Sequence, residues 1–251
     1  MIQTIRSDER YHFESDWLKT HWHFSFDHYH DPANMSFGPL RVFNDDVIAP
    51  AGGFPTHGHR EMEIVTYVIH GALEHRDDMG NTGLIRPGEI QRMSAGTGVR
   101  HSEFNHSKKD PVHLIQLWIL PAVRGLEPSW ELKSFSIADR SGKLLPIAVP
   151  AGKNGNTGSP RESSASGPNT VQLHQDATIY TSLLGRGQSA THKLRDGRHA
   201  YIFVIGGNLS LNGETLGPGD QARVSNEREL RLSAAAGSNG AAADFLLLDL
   251  P

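Results

Sequence analysis

The chain of 251 residues contains no cysteine. Disulfides, thiolate nucleophiles and thiolate metal ligands are therefore excluded, so any transition metal must be held by nitrogen and oxygen atoms. The sequence also has no uninterrupted apolar stretch near membrane-spanning length, and its first ten residues lack the apolar core of a signal peptide. We expect a soluble, cytoplasmic protein without a membrane partner.

Charge of one sign is not concentrated anywhere in the sequence. Lys and Arg number 24 against 28 Asp and Glu, which gives a formal net charge of -4. The electrostatic signature of direct nucleic-acid binding is absent. Because no Gly-rich phosphate loop opens a helix and no serine lies in a nucleophile elbow, nucleotide chemistry and hydrolase triads are disfavoured.

Glycine and proline, by contrast, are abundant and evenly spread, with 26 and 14 residues. They separate short segments rich in Val, Ile, Thr, Leu and Phe, the pattern of an all-β fold. The strands expected in the first half are residues 63–70, 72–77, 84–86, 90–94, 100–105 and 112–120. Those expected in the second half are residues 178–184, 201–205, 209–211, 221–224, 230–233 and 245–250. This rhythm predicts sandwiches or small barrels.

The two halves resemble each other loosely. Gly71 is followed by RPGE at residues 86–89, as Gly206 and Gly207 are followed by GPGD at residues 217–220. Between the halves lies a stretch rich in Gly, Ser and Pro that has little to bury. We therefore predict two β-barrel domains, residues 1–135 and 170–251, joined by a linker or surface loop at 136–169.

Two short pairs of residues in the first half predict a metal site: His57 with His59, and His101 with Glu103. Successive side chains of a strand point to opposite faces, so each pair projects to one side and the two pairs can close on a single ion. Three imidazoles and a carboxylate leave open positions on a six-coordinate metal, an arrangement suited to a redox-active or Lewis-acid ion and a substrate oxygen.

Glu103 is also the candidate general base, because a metal-bound imidazole has no free lone pair. Glu63 follows His57 and His59 at even spacing, which makes it either a further ligand or a group that contacts the ligands. Gln91, Met93 and Gln116 are weaker candidates for the same cavity.

The other histidines carry less weight. The His21/His23 and His28/His30 pairs lie among aromatic residues and lack a later partner pair, so aromatic packing and surface hydrogen bonds are the expected roles. His70, His75, His106 and His113 are expected to be structural or exposed. In the second half His192 stands in a degraded copy of the first pair, with no later His-x-Glu. We expect metal only in the first barrel.

Three ordered motifs resemble the pirin family of the cupin superfamily. They are LRVFNDD at residues 40–46, FPTHGHREMEIVTYV at 54–68 and MSAGTGVRHSEFN at 93–105. The likeness covers at least residues 17–121, and the second half is similar to the C-terminal cupin domain of bacterial pirins.

The resemblance implies a bicupin fold of two jelly-roll barrels with one divalent metal bound by His57, His59, His101 and Glu103. It implies Fe(II), with Ni, Co, Mn, Cu or Zn as alternatives, and it moves Glu63 out of the ligand set. Similar bacterial proteins are quercetin 2,3-dioxygenases, so the expected partners are a flavonol-like substrate and O2, with release of carbon monoxide. We expect a monomer. The alternative is an iron-binding, redox-responsive regulatory protein that acts through a protein partner.

Overall fold

The computed structural model describes residues 1–152, 169–235 and 241–251 of the chain. The strands of the first half are β1 (Ile2–Ile5), β2 (Tyr11–Glu14), β3 (Leu18–Trp22), β4 (Leu40–Ile48), β5 (Gly53–His59), β6 (Glu63–His70), β7 (Leu73–Asp77), β8 (Thr82–Ile85), β9 (Glu89–Ser94), β10 (Val99–Asn105), β11 (Val112–Ile119) and β12 (Ser129–Ser134). Those of the second half are β13 (Leu145–Pro150), β14 (Val171–Leu173), β15 (Thr178–Leu184), β16 (Ser189–Lys193), β17 (His199–Gly206), β18 (Leu209–Leu211), β19 (Glu214–Leu216), β20 (Gln221–Ser225), β21 (Glu229–Ala234) and β22 (Ala243–Leu250). A 3-10 turn (Ser7–Glu9) and the short helix α1 (Ile137–Arg140) complete the described elements.

Each half consists of a seven-stranded and a four-stranded sheet. The first half has the order β12-β9-β6-β11-β4-β3-β2 with β5-β10-β7-β8, and the second has β1-β20-β17-β22-β15-β13-β14 with β16-β21-β18-β19. The two orders match strand for strand through their central positions, which confirms the predicted all-β fold of two barrels.

The two seven-stranded sheets share one apolar core. Phe43, Val65 and Leu117 of the first half belong to the same buried cluster as Phe203 and Leu248 of the second. Because β6 is covered on both of its faces, six consecutive residues from Glu63 to Val68 are buried, as a strand between two apolar layers requires. The four-stranded sheet that carries the four predicted metal ligands lies outside this sandwich, where a cavity can form beside it.

Strand pairing crosses the predicted domain boundaries. β1 pairs with β20 of the second barrel, where it occupies the edge position that β12 occupies in the first. The division at residues 135 and 169 remains a prediction, but the first five residues contribute a strand to the opposite barrel.

The predicted linker also contains regular structure. Residues 137–140 form α1, and β13 pairs with both β14 and β15. Ile147, Ala148 and Val149 are buried, so this apolar run gains more from joining the core than from forming a surface loop. The Gly-, Ser- and Pro-rich segment, residues 153–168, lies outside the described residues.

Candidate metal centre and its cavity

The centre is built where β5 pairs with β10. His101 lies directly opposite His57, and a register shift between His101 and Glu103 places Glu103 opposite Phe54. On β10 the buried and outward residues alternate, which turns His101 and Glu103 inward together. The close approach of the strands requires glycine at position 53, because a Cβ there would meet the Glu103 carbonyl and lie 2.5 Å from the Phe104 Cα.

The imidazoles of His57 and His101 turn their Nε2 atoms towards each other. His57 donates its Nδ1 hydrogen to the Pro55 carbonyl at 2.8 Å, which leaves Nε2 unprotonated in the neutral ring. That atom lies 3.1 Å from Nε2 of His101. With His101 in the tautomer that protonates Nδ1, two acceptor atoms face each other with no hydrogen between them. A cation between or beside them would remove this repulsion.

Burial keeps two of the three imidazoles neutral. It lowers the pKa of His59 to about 4, with His101 and His57 adding to the effect. Burial, with help from His57 and His75, lowers the pKa of His101 to about 3. Since only the neutral ring can coordinate a metal, both residues are ready to bind one at pH 7 without losing a proton.

One carboxylate oxygen of Glu103 accepts a hydrogen bond from a side chain, and the other oxygen does not. Gln116 donates from Nε2 to Oε2 of Glu103 at 2.7 Å, and Trp118 donates from Nε1 to Oε1 of Gln116 at 3.1 Å. Oε1 of Glu103 is buried without a hydrogen-bond partner among the described residues. A buried carboxylate oxygen without a donor is costly, and a metal ion or a substrate proton would satisfy it.

His75 and Asp77 support His101 from behind. In the tautomer described above, His101 donates from Nδ1 to Nδ1 of His75 at 3.4 Å, and His75 donates from Nε2 to Asp77 at 3.3 Å. Both side chains are fully buried. Such a chain from an imidazole ligand to a carboxylate fixes the ring orientation and raises the basicity of the ligand.

Among the described residues, two overlapping groups have the geometry to hold a metal. One is His57, His59 and His101, and the other is His75, His101 and Glu103; within each, the ligand atoms lie within 4.8 Å of one another. The four predicted ligands therefore fall in adjoining groups that share His101. Sequence reasoning missed His75, although a His-x-Asp pair on the strand beside His101 was the available signal.

A cavity of about 360 Å³ opens in front of these residues. His57, His59, Glu103 and Gln116 line it. Its other walls are mostly aromatic and include Phe13, Trp17, Trp22, Phe26, Phe54 and Trp118. No Lys or Arg of the described residues lines the cavity. A space of this size with a few convergent polar groups suits a small, flat, aromatic ligand.

Glu63 does not contact the predicted ligands in the way that strand alternation suggested. The chain turns between β5 and β6, with Glu61 in the left-handed region at φ 52°, so the alternation does not continue from His59 to Glu63. Glu63 instead accepts hydrogen bonds from the Ser94 hydroxyl at 2.9 Å and the His174 backbone at 3.2 Å, and it does not line the cavity. Its contacts link the two barrels.

The other residues that the sequence suggested for the cavity lie in different places. Gln116 reaches the site, whereas Gln91 accepts a hydrogen bond from Trp130 and Met93 packs in a separate apolar cluster. His23 stacks on Phe43, as predicted for a histidine among aromatic residues.

The second barrel carries different side chains at the matching positions. His192 lies opposite Leu230, as His57 lies opposite His101. Its Nε2 is 2.8 Å from a carboxylate oxygen of Asp249, which also pairs with Arg198. Leu230, Leu232 and Leu194 are buried in the apolar core of this barrel.

Comparisons with known proteins agree with this architecture. The family model "Pirin" matches residues 4–119, and the model "Quercetinase C-terminal cupin domain" matches residues 162–250. The quercetin 2,3-dioxygenase of Escherichia coli K12 is 38% identical over 252 residues, covering 100% of this chain and 99% of that protein. The chain belongs to the pirin family.

Further relatives and solved structures support the same membership. A pirin-like protein of Caulobacter vibrioides is 39% identical over 218 residues, covering 87% of this chain and 88% of that protein. The crystal structure of YhhW from Escherichia coli superposes with a TM-score of 0.87 at 35% identity, covering 100% of this chain and 98% of that one. The structure of bacterial pirin YhhW in complex with nickel(II) gives a TM-score of 0.86 at 35% identity, covering 100% and 99%. Within the described residues of this pirin, no helix is long and apolar enough to cross a membrane.

Proposed function

We propose that this pirin is a metal-dependent dioxygenase that opens the central ring of quercetin or a related flavonol with O2 and releases carbon monoxide. The observation that carries the proposal is the group of three imidazoles, in which Nε2 of His57 and Nε2 of His101 lie 3.1 Å apart, beside the unpartnered Oε1 of Glu103 and an aromatic cavity. Relatives named quercetin 2,3-dioxygenase support the substrate class.

The proposed ligands are His57, His59, His101 and Glu103. Iron(II) is the metal that we propose, with nickel, cobalt, manganese, copper and zinc as alternatives, because nitrogen and oxygen ligands do not select one ion. The nickel complex of a related pirin supports a divalent metal. When bound, such an ion supplies a Lewis acid that lowers the pKa of a coordinated hydroxyl and positions the substrate.

The side chains of the site bind the substrate, orient it and remove a proton from it. The aromatic walls hold the flat ring system and exclude water from it. Glu103 accepts the proton of the 3-hydroxyl at Oε1, while Gln116 holds Oε2 and so fixes the direction in which the carboxylate faces. Trp118, which donates to Gln116 and packs edge-on against His59 with ring centroids 4.8 Å apart, links the base to the ligand set.

The test is aerobic incubation of protein loaded with each metal in turn with quercetin. Loss of flavonol absorbance together with stoichiometric carbon monoxide is the expected result, and metal-free protein is the control. If no metal gives turnover, the dioxygenase proposal fails, and the regulatory alternative is then tested by searching for a partner that binds only one oxidation state of the iron.

A further inference from the structure

Two polar side chains on the inner face of the first barrel each carry an oxygen atom without a hydrogen-bond partner. Asn44 and Asp46 are 4% and 2% exposed, and Asn44 Oδ1 and Asp46 Oδ1 are buried without a partner among the described residues. Each such atom costs free energy unless a ligand or water satisfies it. Asn44 and Asp46 both line the metal cavity.

The two residues lie beside each other. Asn44 and Asp46 alternate on β4 and so face the same side, and Thr20, which lies opposite Asp46 on β3, lowers the pKa of that carboxyl group by hydrogen bonding and so only partly offsets the effect of burial. Asp45, which points to the other face between them, is well paired: Arg10 donates to it at 2.7 Å, and His113 lies 2.6 Å from it. The β4 oxygens that lack hydrogen-bond partners therefore lie on the face of the strand that meets the cavity.

The neighbouring strand does not supply the missing donors. Gln116 lies opposite Asn44 on β11, where its Nε2 donates to Glu103 and its Oε1 accepts from Trp118, and it makes no hydrogen bond to Asn44 Oδ1. The two metal-binding groups do not include Asp46, so a metal at the histidines would not account for its carboxyl group. A ligand that satisfies these atoms must bring its own hydrogen-bond donors.

Hydroxyl groups on an aromatic ring fit this requirement. The cavity has aromatic walls for the ring, and among the described residues no Lys or Arg lines it to favour an anionic ligand. Burial raises the pKa of Asp46 to about 7, so near neutral pH part of the population carries a neutral carboxyl that can donate and accept, as a phenol does.

We propose that Asn44 and Asp46 form a recognition subsite for phenolic hydroxyl groups of the substrate, beside the Gln116–Glu103 contact. The proposal deepens the proposed function and rests on it for the identity of the natural ligand. It makes these residues determinants of specificity through hydroxyl groups that do not bind the metal.

The experiment measures binding rather than turnover. Metal-free protein is titrated under argon with quercetin, whose pendant ring carries two hydroxyls, and with galangin, whose pendant ring carries none, and dissociation constants are read from quenching of tryptophan fluorescence. The native chain should bind quercetin about tenfold more tightly, since one or two net hydrogen bonds have that value. Asn44→Leu and Asp46→Leu should each reduce this ratio towards one without weakening galangin.

Asp196→Asn is the control, because Asp196 is an exposed carboxylate of the second barrel and does not line the cavity. It should leave the ratio unchanged. If Asp46→Leu does not fold, Asn44→Leu and Asp46→Ala decide the question. An unchanged ratio in these variants, or an equal loss of both ligands, overturns the subsite.

The aerobic assay separates this outcome from failure of the proposed function. Selective binding of quercetin without turnover by any metal form would leave the subsite standing and remove the dioxygenase. Turnover of both flavonols with equal preference would support the dioxygenase and remove the subsite.

Discussion

The two barrels share a strand order but differ in the side chains that their four-stranded sheets carry at matching positions. In the first, β10 and β7 present His101, Glu103 and His75. At the matching register positions of β21 and β18 the second barrel has Leu230, Leu232 and Leu211, all buried in its apolar core. His192 is the one retained imidazole of the set, and it pairs with Asp249.

This difference shows that the barrel by itself does not create the site. Leucines at these positions give a closed core stabilised by apolar burial, whereas the polar set leaves unpartnered atoms and an open cavity. The polar side chains lower the stability of the first barrel locally, and binding of a metal and a substrate can offset this loss. The second barrel supplies core contacts and the edge position for β1.

The largest effect is expected from converting the centre of the first barrel to the second type. His101→Leu, which copies Leu230, removes the residue shared by both metal-binding groups. Bound metal should fall from about one equivalent to nearly none, and turnover with it, because the remaining ligands no longer surround an ion. Elemental analysis after dialysis measures this, and His192→Leu is the control, which should change neither quantity.

Glu103→Gln tests the base separately from the metal. The amide preserves shape but cannot take a proton, so turnover should fall by about 10²–10⁴-fold while bound metal is at least partly retained. Glu63→Gln alters a carboxylate outside the cavity and should remain active. Full activity in metal-loaded Glu103→Gln would remove the base assignment.

His75→Leu, which copies Leu211, tests the support behind His101. Loss of the His101–His75–Asp77 chain should weaken metal binding about tenfold, as measured by competition with a chelator. The exposed His106, near the end of β10, provides the control His106→Leu. If both variants hold metal as tightly as the native chain, His75 only fills space.

Gly53→Ala tests the close approach of β5 to β10. Its Cβ would lie 2.5 Å from the Phe104 Cα, so the strands must separate and the free energy of unfolding should fall by about 1–3 kcal/mol. Gly58→Ala on the same strand is the control, because the nearest atom to its Cβ is 3.8 Å away. Equal denaturant midpoints for the two variants would contradict the steric argument.

Asp46→Asn should change the pH dependence of stability in metal-free protein. Burial raises the pKa of Asp46 from 3.8 to about 7, so its contribution is complete below pH 3.8 and is lost as the pH rises through 7. The stability of the native chain relative to Asp46→Asn should therefore decline between about pH 4 and pH 7, by on the order of 4 kcal/mol. Parallel stability curves for the two proteins over this range would contradict the shift.

The sequence by itself determined the class of fold and most of the candidate centre. Period-two patterns between glycine turns predicted strands that the structure contains, and strand alternation brought His57, His59 and His101 into one group. Absence of cysteine restricted the ligands to nitrogen and oxygen. The strand prediction was confirmed because it depends on local geometry within one or two strands, whereas the set of metal ligands stays a prediction.

Only the tertiary structure decided which groups meet across strands. Alternation failed for Glu63 because a turn intervenes after His59, and local sequence did not reveal that β1 joins the opposite barrel. Two features depend on the register between strands distant in the chain: the support of His101 by His75, and the oxygens of Asn44 and Asp46 that lack hydrogen-bond partners beside Gln116. Register is set by burial of the whole sheet, so the sequence near each residue does not contain it.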